Sequence, residues 1–318
     1  MTTYKEIKGT QIEVLASDPS NPVEGQVWYN STSNVLKGQA ATTVGAWATG
    51  GSLNTARFYL AGAGASNSSA LAFGGRPYTA ATESYDGSSW TEVSDLNTVR
   101  GQLGGAGTQT SAIAFGGETP PNTAATETWN GSSWTEVNDL NTARSISQGA
   151  GANNTAALCY GGPGAVAITE QWNGTNWTEV ADLNTGRYSM GCVGTSTAAL
   201  AAGGDNGPAL AITEQWNGSN WTEVGDMNTA RFAVGAAGLY TSALVFGGSP
   251  PDTGKTEEWN GTNWTEVADL SPARRYLAGA GTQSSALAFG GLLSTTTVGT
   301  TEEWLGAGAP LTRTFTDS

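Results

Sequence analysis

The stretch LNTARFYLAGAGASNSSALAFGGRPYTAATESYDGSSWTEV, residues 53–93, contains four short apolar runs separated by turn residues. The runs have the length of strands, no helical period competes with them, and they cover 58–64, 69–73, 82–85 and 90–93. Gly74–Gly75 ends the second run, and Asp86-Gly87 between the last two runs is a strong hairpin signal. The stretch therefore predicts four antiparallel strands, which we name a, b, c and d in chain order.

This pattern recurs along the chain. A segment Trp-x-x-x-x-[Ser/Asp]-x-x-x-x-Arg occurs six times, and its arginines are 43, 44, 43, 44 and 43 residues apart. Its tryptophans are Trp47, Trp90, Trp134, Trp177, Trp221 and Trp264, and its arginines are Arg57, Arg100, Arg144, Arg187, Arg231 and Arg274. A Gly-Gly pair also occurs six times, first at Gly74–Gly75. Four strands in about 43 residues, repeated in this way, predict an all-β, six-bladed β-propeller.

The repeat resembles the kelch repeat over roughly residues 43–305. The shared features are the Gly pair that ends strand b, the aromatic residue on strand c, the Trp on strand d and the Arg before the next strand a. One copy departs from the pattern, because Ala201-Ala202 precedes its Gly pair where the other copies have an aromatic residue second. The resemblance implies a kelch-like propeller and leaves the function open, since kelch propellers serve many roles.

The two ends of the repeat region are out of step. Trp47 precedes the first Gly pair, and position 309, five residues after Trp304, is Ala309 rather than Trp. We therefore expect the last blade to take strands a to c from residues 275–305 and strand d from about 43–49, which leaves no open edge. This predicts a propeller domain over residues 41–318 and a separate N-terminal attachment or oligomerisation segment over residues 1–40, with a small β-hairpin. The alternating tail 311–316 could add an edge strand.

The repeated residues are predicted to be structural. Burial of a Trp removes roughly 150–250 Å² from water, so the repeat tryptophans are expected in the core between blades. Only small residues are expected on strand a near the axis, at Gly62, Gly105, Gly149, Cys192, Ala236 and Gly279. For the repeat arginines we consider two hypotheses: a ring at the channel mouth that binds an anion, or an Arg in each blade that bonds loop carbonyls or the strand c glutamate. The strict period favours the second.

Composition excludes several function classes. The chain has 13 basic and 27 acidic residues, a net charge of −14, and no histidine, so nucleic-acid binding is disfavoured and the commonest general base and metal ligand are missing. The two cysteines are predicted to be small buried thiols, at Cys159 and Cys192. We expect no catalytic residue, no metal site and no cofactor. No apolar run is long enough to span a membrane and no secretory leader is recognisable, so no membrane insertion is expected.

The N-terminal segment has its own character. Residues 10–15, 25–30 and 34–37 are strand-like, and an isolated hairpin is marginal in water, so Trp28 and Tyr29 are candidate attachment residues. The run GQVWYNST, residues 25–32, resembles segments of bacteriophage tail-fibre and other virion proteins. That resemblance implies a phage structural protein, assembled into the virion in the host cytoplasm. Its partners would be other virion proteins, bound through residues 1–40, and a homo-oligomer is possible.

The leading hypothesis is a non-enzymatic fibre or adhesin component that recognises a host-surface glycan or receptor. The alternatives are a purely structural decoration or connector subunit and a cellular kelch protein-interaction module. Strands b and d run the same way, so the b–c and d–a loops share one face, and loops on a rigid scaffold usually carry recognition. The b–c loops vary in length, and neutral drift remains an alternative explanation. Their candidate ligand residues are Arg76, Tyr78, Asn122, Asp205, Asn206, Asp252 and Lys255.

Overall fold

The computed structural model describes residues 12–20, 25–41, 44–307 and 310–315. These residues form strands, turns and loops, and no helix occurs among them. The chain divides into two compact units, one of residues 46–305 and one of residues 1–45 together with 306–318. The larger unit is the predicted propeller.

Six four-stranded antiparallel sheets form the blades, which we number 1 to 6 from residue 61 onward. The a strands span Ala61–Ser66, Gly104–Thr108, Gln148–Asn153, Gly191–Thr195, Gly235–Leu239 and Ala278–Thr282. The b strands span Ser69–Phe73, Ser111–Phe115, Ala156–Tyr160, Ala198–Ala202, Ser242–Phe246 and Ser285–Phe289. The c strands span Thr82–Tyr85, Thr126–Trp129, Thr169–Trp172, Thr213–Trp216, Thr256–Trp259 and Thr301–Leu305. The d strands span Trp90–Glu92, Trp134–Val137, Trp177–Val180, Trp221–Glu223, Trp264–Val267 and Ala46–Gly50.

Blade 6 closes the ring as predicted. Its outermost strand is Ala46–Gly50, which pairs antiparallel with Thr301–Leu305 and sets Trp47 opposite Trp304. The closing strand was predicted at about 43–49, and in the structure it begins three residues later and ends one residue later. Ala309 lies outside the described residues. The b–c loop of blade 6 carries an additional small hairpin, Leu292–Leu293 with Thr296–Thr297. The a strands of the six blades contact one another in cyclic order, so they line a central channel.

Small residues on strand a face large ones on the neighbouring blade. A Cβ added at Gly62 would lie 2.7 Å from Cζ of Phe289, the last residue of strand b in blade 6. Strand b of blade 4 ends in Ala202 instead of an aromatic residue, and the next blade carries Ala236 at the position where most blades have glycine. The departure from the repeat in blade 4 is therefore compensated by an added methyl group across the interface.

Each interface between blades also has a tryptophan hydrogen bond. The indole Nε1 of the strand d Trp donates to the hydroxyl of the Thr that opens strand c of the preceding blade, at 2.9–3.2 Å in all six blades. The Trp90–Thr301 and Trp47–Thr256 bonds involve blade 6, so the series continues through the closure. Five of these tryptophans are buried and Trp47 is half-buried, which confirms their predicted place in the core.

The Gly pair also links neighbouring blades through a backbone hydrogen bond. The amide of its second glycine donates to the carbonyl of the repeat Arg of the next blade, at 2.9–3.2 Å, in all six blades. The pair Gly74–Gly75 has φ values of 62° and 121°, which favour glycine, and a Cβ at Gly74 would lie 2.8 Å from the Arg100 carbonyl oxygen. The Gly pair therefore lets strand b end where the next blade's d–a loop approaches closely.

The smaller unit is a four-stranded sheet in the order Glu13–Leu15, Val27–Asn30, Val35–Ala41 and Pro310–Phe315. The predicted hairpin is present, and the strand predicted over residues 10–15 is described only from residue 12 and is shorter. The predicted propeller domain, 41–318, includes the tail, but residues 310–315 pair with residues 36–41 of the smaller unit, whose sheet has an open strand edge there. Thr316 lies outside the described residues.

Candidate functional site

The repeat arginines form buried ion pairs within the blades. Each pairs with the Glu of strand c, and in four blades the N–O distance is 2.5–3.1 Å. Arg187 with Glu214 and Arg274 with Glu302 are in direct contact as well. Burial lowers the pKa of Arg57, Arg100, Arg231 and Arg274, while the neighbouring glutamate acts in the opposite sense.

These carboxylates also hold the d–a loops. Glu83 accepts hydrogen bonds from the backbone amide of Asn54 at 2.7 Å and from its side-chain amide at 2.9 Å. The Asn54 side chain donates in addition to the carbonyl of Trp90 at 2.8 Å, so Arg, Glu and Asn tie strands c and d to the loop before strand a. Four further blades repeat the arrangement, with Asn97, Asn141, Asn184 and Asn228. The repeat arginines are thus structural and are not an anion-binding ring.

The b–c and d–a loops meet on one face of the propeller. In five blades the residue after the repeat Arg forms a backbone bridge with the residue after the Gly pair, as Phe58 does with Arg76 and Arg275 with Leu292. The expected arrangement of the loops is therefore present, and the variable b–c loops lie beside the channel on this face. The a–b loops and the Asp-Gly or Asn-Gly turns lie at the opposite strand ends.

The residue two positions after each repeat Arg forms the channel mouth. All six of these residues have left-handed φ values of 50–58° although none is glycine: Tyr59, Gln102, Ile146, Ser189, Ala233 and Tyr276. Each of five backbone amides in this set donates to the carbonyl of the corresponding residue in the preceding blade, at 2.7–3.0 Å. The backbone is thus identical in every blade while the side chain differs. We name this set the mouth ring.

The mouth ring opens into a cavity of about 100 Å³ lined by the beginnings of the a strands. A second cavity of about 100 Å³ lies further along the same channel, towards the a–b loops. The residues lining both cavities are the small strand a residues Gly62, Gly105, Gly149, Cys192, Ala236 and Gly279. A ligand that enters from the mouth would therefore meet aromatic and polar side chains first and a narrow, mostly glycine-lined segment beyond them.

One part of the mouth is aromatic. The rings of Tyr59 and Tyr276 stack with centroids 3.9 Å apart, and Phe58 lies 5.4 Å from the Tyr59 ring. The Arg76 guanidinium is positioned over the Tyr59 ring at 5.7 Å and over the Tyr78 ring at 5.0 Å. Burial raises the pKa of Tyr59, and the Tyr276 hydroxyl acts in the same sense. Tyr59 is therefore a neutral hydroxyl-bearing group, and both tyrosines line the cavity wall.

Two ion pairs on this face are partly exposed, and neither is repeated in the other blades. Arg76 contacts Glu118 of the next blade's b–c loop, and the Tyr78 hydroxyl donates to the same carboxylate at 2.6 Å. Arg275 contacts Asp252, which also accepts the backbone amide of Ser294 at 3.1 Å. We use the name mouth cluster for Phe58, Tyr59, Arg76, Tyr78, Glu118, Asp252, Arg275 and Tyr276.

The predicted ligand residues are thus only partly brought together. Arg76, Tyr78 and Asp252 belong to the mouth cluster, whereas Asp205 is buried and accepts the Tyr188 hydroxyl at 3.0 Å and the Gly207 amide at 2.7 Å. Lys255 bonds Glu266 at 3.0 Å and Thr229 at 3.2 Å. Asn122 and Asn206 are exposed on their loops.

Sequence reasoning missed Tyr59, Tyr276, Arg275 and Glu118. The d–a loop is nearly the same in all six copies up to the repeat Arg, but the two residues after it differ. Those two positions read Phe-Tyr, Gly-Gln, Ser-Ile, Tyr-Ser, Phe-Ala and Arg-Tyr in the six copies. Aligning the copies on the Arg and inspecting the next two positions would have found the mouth ring.

In the smaller unit, the proposed attachment residues are not both surface residues. Trp28, a predicted attachment candidate, is fully buried, and its indole donates to Asp18 at 3.1 Å. Asp18 also accepts from Asn30 at 2.7 Å and Lys37 at 2.6 Å, and these bonds, that of Lys37 first, lower the pKa of Asp18 to about 2. Tyr29 is half-buried.

Other kinds of site were sought in the part of the chain that the structure describes. It contains no group of three or more Cys, Asp or Glu side chains arranged to hold a metal ion. No helix of these residues has the length and apolarity to cross a membrane. Both cysteines are free, Cys159 buried and Cys192 half-buried.

The chain has the fold of a six-bladed β-propeller closed by a ring of inter-blade bonds. Among solved structures it is similar to YjhT, a kelch-like propeller, with a TM-score of 0.68 and 13% sequence identity, over 82% of this chain and 99% of YjhT. This similarity concerns the fold. No protein-family model and no curated protein sequence matches the chain.

Proposed function

We propose that the protein is a non-enzymatic recognition module, a phage fibre or adhesin component whose propeller binds a host-surface glycan or receptor at the mouth cluster. One observation carries the proposal: repeated, internally bonded residues build the blades, while single-copy aromatic and charged side chains gather at one end of the channel. Tyr and Arg are the side chains that binding surfaces favour. Recognition needs such asymmetry, and the repeated framework alone does not supply it.

A binding role fits the carboxylates of this face better than catalysis does. Glu118, Asp205 and Asp252 each accept hydrogen bonds or pair with an arginine. A general acid or base must exchange a proton with its substrate, whereas these groups already act as hydrogen-bond acceptors for loop donors, a role that extends to a bound ligand. We therefore propose no catalytic residue and no cofactor.

The assignment to a virion rests on the resemblance of residues 25–32 to phage tail-fibre segments. The hydrogen bonds of Asp18 give part of that run a physical role, because Trp28, Asn30 and Lys37 converge on one carboxylate. We propose that this unit attaches the propeller to other virion proteins. With Trp28 buried, attachment would use its exposed residues, among them Ile12 and Val14.

A second candidate function is a decoration or connector subunit that binds nothing outside the particle. The observation that favours it is the closed cycle of Trp–Thr and Gly–Arg bonds, which makes the propeller a stiff body whether or not its face recognises a ligand.

The test is adsorption of the purified full chain, fluorescently labelled, to a panel of bacterial strains. A matched variant replaces the b–c loops of blades 2 to 6 with that of blade 1, residues 76–81, so the blades remain and all six b–c loops become alike. We expect adsorption to at least one strain and its loss in the variant, with an unchanged circular dichroism spectrum. Adsorption that survives the exchange would show that differences between the b–c loops, Glu118 and Asp252 included, are not needed for recognition. If an antibody against the chain labels the phage particle while the purified chain adsorbs to no strain, the result would favour the decoration role.

A further inference from the structure

The mouth ring holds non-glycine residues in a conformation that favours glycine. Left-handed φ costs a non-glycine residue about 1 kcal/mol or more, and a β-branched residue such as Ile146 is especially unsuited to it. The chain has 45 glycines, yet none occupies these positions. The backbone hydrogen bonds of the ring need no side chain, and glycine would adopt the same φ without strain. What the non-glycine residues add at these positions is therefore their side chains.

Two of the six side chains create an aromatic wall on one side of the cavity. Tyr59 and Tyr276 stack on each other and line the cavity, and Phe58 lies beside them. The same positions carry Gln102, Ile146, Ser189 and Ala233 in the other blades. Aromatic contact is therefore concentrated where blades 6 and 1 meet.

Charge decides what kind of ligand suits this wall. Each arginine of the mouth cluster is already paired, Arg76 with Glu118 and Arg275 with Asp252, so no unpaired cation of the cluster is available to an anion. The chain as a whole carries a net charge of −14, which would repel an anionic ligand further. The cluster therefore suits a ligand that is uncharged.

The small exposed apolar area of the loops around the mouth favours a glycan over a protein as the ligand. A stable protein interface buries at least about 1,000 Å² and is built around apolar anchors. Of the large apolar side chains in the b–c and d–a loops that the structure describes, only Tyr78, Val99 and Leu293 are more than about a third exposed. The polar side chains of the loops around the mouth are mainly those of Thr, Asn and Ser, which can bond hydroxyl groups.

We infer that the mouth cluster binds the terminal sugar of a neutral glycan, with the Tyr59–Tyr276 stack as its aromatic contact. Sugar C–H groups pack on aromatic rings, while the tyrosine hydroxyls and the Glu118 and Asp252 carboxylates bond sugar hydroxyls. The cavity of about 100 Å³ has room for the end of a chain rather than its middle. The inference rests on the proposed function and adds to it the ligand class and the side of the mouth that binds.

The experiment uses the full chain on a printed array of neutral oligosaccharides of glucose, galactose, mannose and N-acetylglucosamine, beside their uronic-acid and phosphorylated counterparts. The best neutral oligosaccharide is then titrated by calorimetry. The test variant is Tyr59→Ala with Tyr276→Ala, and the matched control is Ile146→Ala with Ser189→Ala at the same ring positions. Ala233 has the same backbone conformation, so alanine is accommodated there.

We expect binding to a neutral oligosaccharide that is insensitive to salt, at least a tenfold loss of affinity in the tyrosine variant, and less than a twofold change in the control. Equal losses in both variants, binding confined to the anionic glycans, or no binding on the array would overturn the inference. Adsorption to cells, measured separately, distinguishes these results from failure of the proposed function. A chain that adsorbs to cells through the mouth cluster but binds no neutral glycan would recognise a protein receptor instead.

Discussion

Arg274 and Arg275 are adjacent in the chain and have opposite roles. The Arg274 side chain is 0% exposed, pairs with Glu302, and donates to the carbonyls of Gly290 and Pro272, each at 3.1 Å. The Arg275 side chain is 26% exposed, pairs with Asp252 and is positioned 5.7 Å from the Tyr276 ring. The first belongs to a set repeated in every blade and the second occurs once. Residue type alone therefore does not distinguish a framework residue from a surface residue, whereas repetition and burial together do.

The largest expected effect comes from removing each arginine in turn. Arg274→Ala leaves the Glu302 carboxylate buried without its partner, so we expect a loss of about 3–5 kcal/mol in the free energy of unfolding. Arg275→Ala breaks a partly exposed pair and should cost less than about 1 kcal/mol. Chemical denaturation of the two variants measures the difference. Equal losses would mean that the two arginines do not differ in structural role.

A conservative substitution sharpens the same comparison. Arg274→Lys keeps the charge but cannot reach Glu302 and the carbonyls of Gly290 and Pro272 together, because a lysine lacks the guanidinium fork. We expect a loss of about 2 kcal/mol, from about two missing hydrogen bonds in a buried site. Arg275→Lys is the control and should unfold within about 0.5 kcal/mol of the parent chain. A tolerated lysine at position 274 would show that charge alone is needed there.

A third ion pair, Lys37–Asp18, extends the comparison to pH. Its hydrogen bonds lower the pKa of Asp18 to about 2 from an ordinary value of 3.8. A carboxylate with a lowered pKa contributes stability that is present above its unfolded pKa and is lost as the pH falls through its folded pKa. The hydrogen-exchange protection factors of the amides of residues 27–38, which correct for the intrinsic pH dependence of exchange, should therefore fall between about pH 4 and pH 2. The Asp18→Asn variant should exchange faster at neutral pH and lack this acid transition; a transition of equal size in the variant would contradict the assignment.

The smallest effect is expected in the mouth ring. Ala233→Gly removes a methyl group but also relieves the left-handed conformation, so the two terms should cancel to within about 0.5 kcal/mol. Ala243→Gly in strand b of blade 5 has no such relief and should cost about 1 kcal/mol or more. Thermal unfolding of both variants provides the measurement. A clear loss for Ala233→Gly would mean that the ring is not strained.

The framework of the propeller could be predicted because every element of it is sampled six times. The repeat Arg and the strand c glutamate recur in each copy, so the sequence indicates an intra-blade pair before any geometry is known. The offset of Trp47 against the Gly pairs predicts the closure for the same reason. Residues that recur in every copy of the repeat are those that the fold requires, and comparing the six copies identifies them.

The remaining features occur once and leave no such average. Tyr59 and Tyr276 come together only because the ring closes, which sets blade 6 beside blade 1. The Trp28 indole bonds Asp18, ten residues earlier in the chain, and no local pattern in the sequence encodes that contact. The pairing of residues 36–41 with 310–315 joins the two ends of the chain, and the tail's alternation predicts a strand but not its partner.

The cycle of Trp–Thr bonds passes through blade 6 although that blade is assembled from two distant parts of the chain. The Trp–Thr hydrogen bond is therefore the same at every blade interface. Recombination between gene segments that encode the near-identical repeats would exchange whole b–c loops as cassettes while keeping these Trp–Thr bonds. Because the residues after the repeat Arg lie beside those loops, one crossover can transfer a mouth residue and its neighbouring loop together. Shuffling such cassettes would change this face of the propeller a whole loop at a time, whereas point mutations would change it one residue at a time.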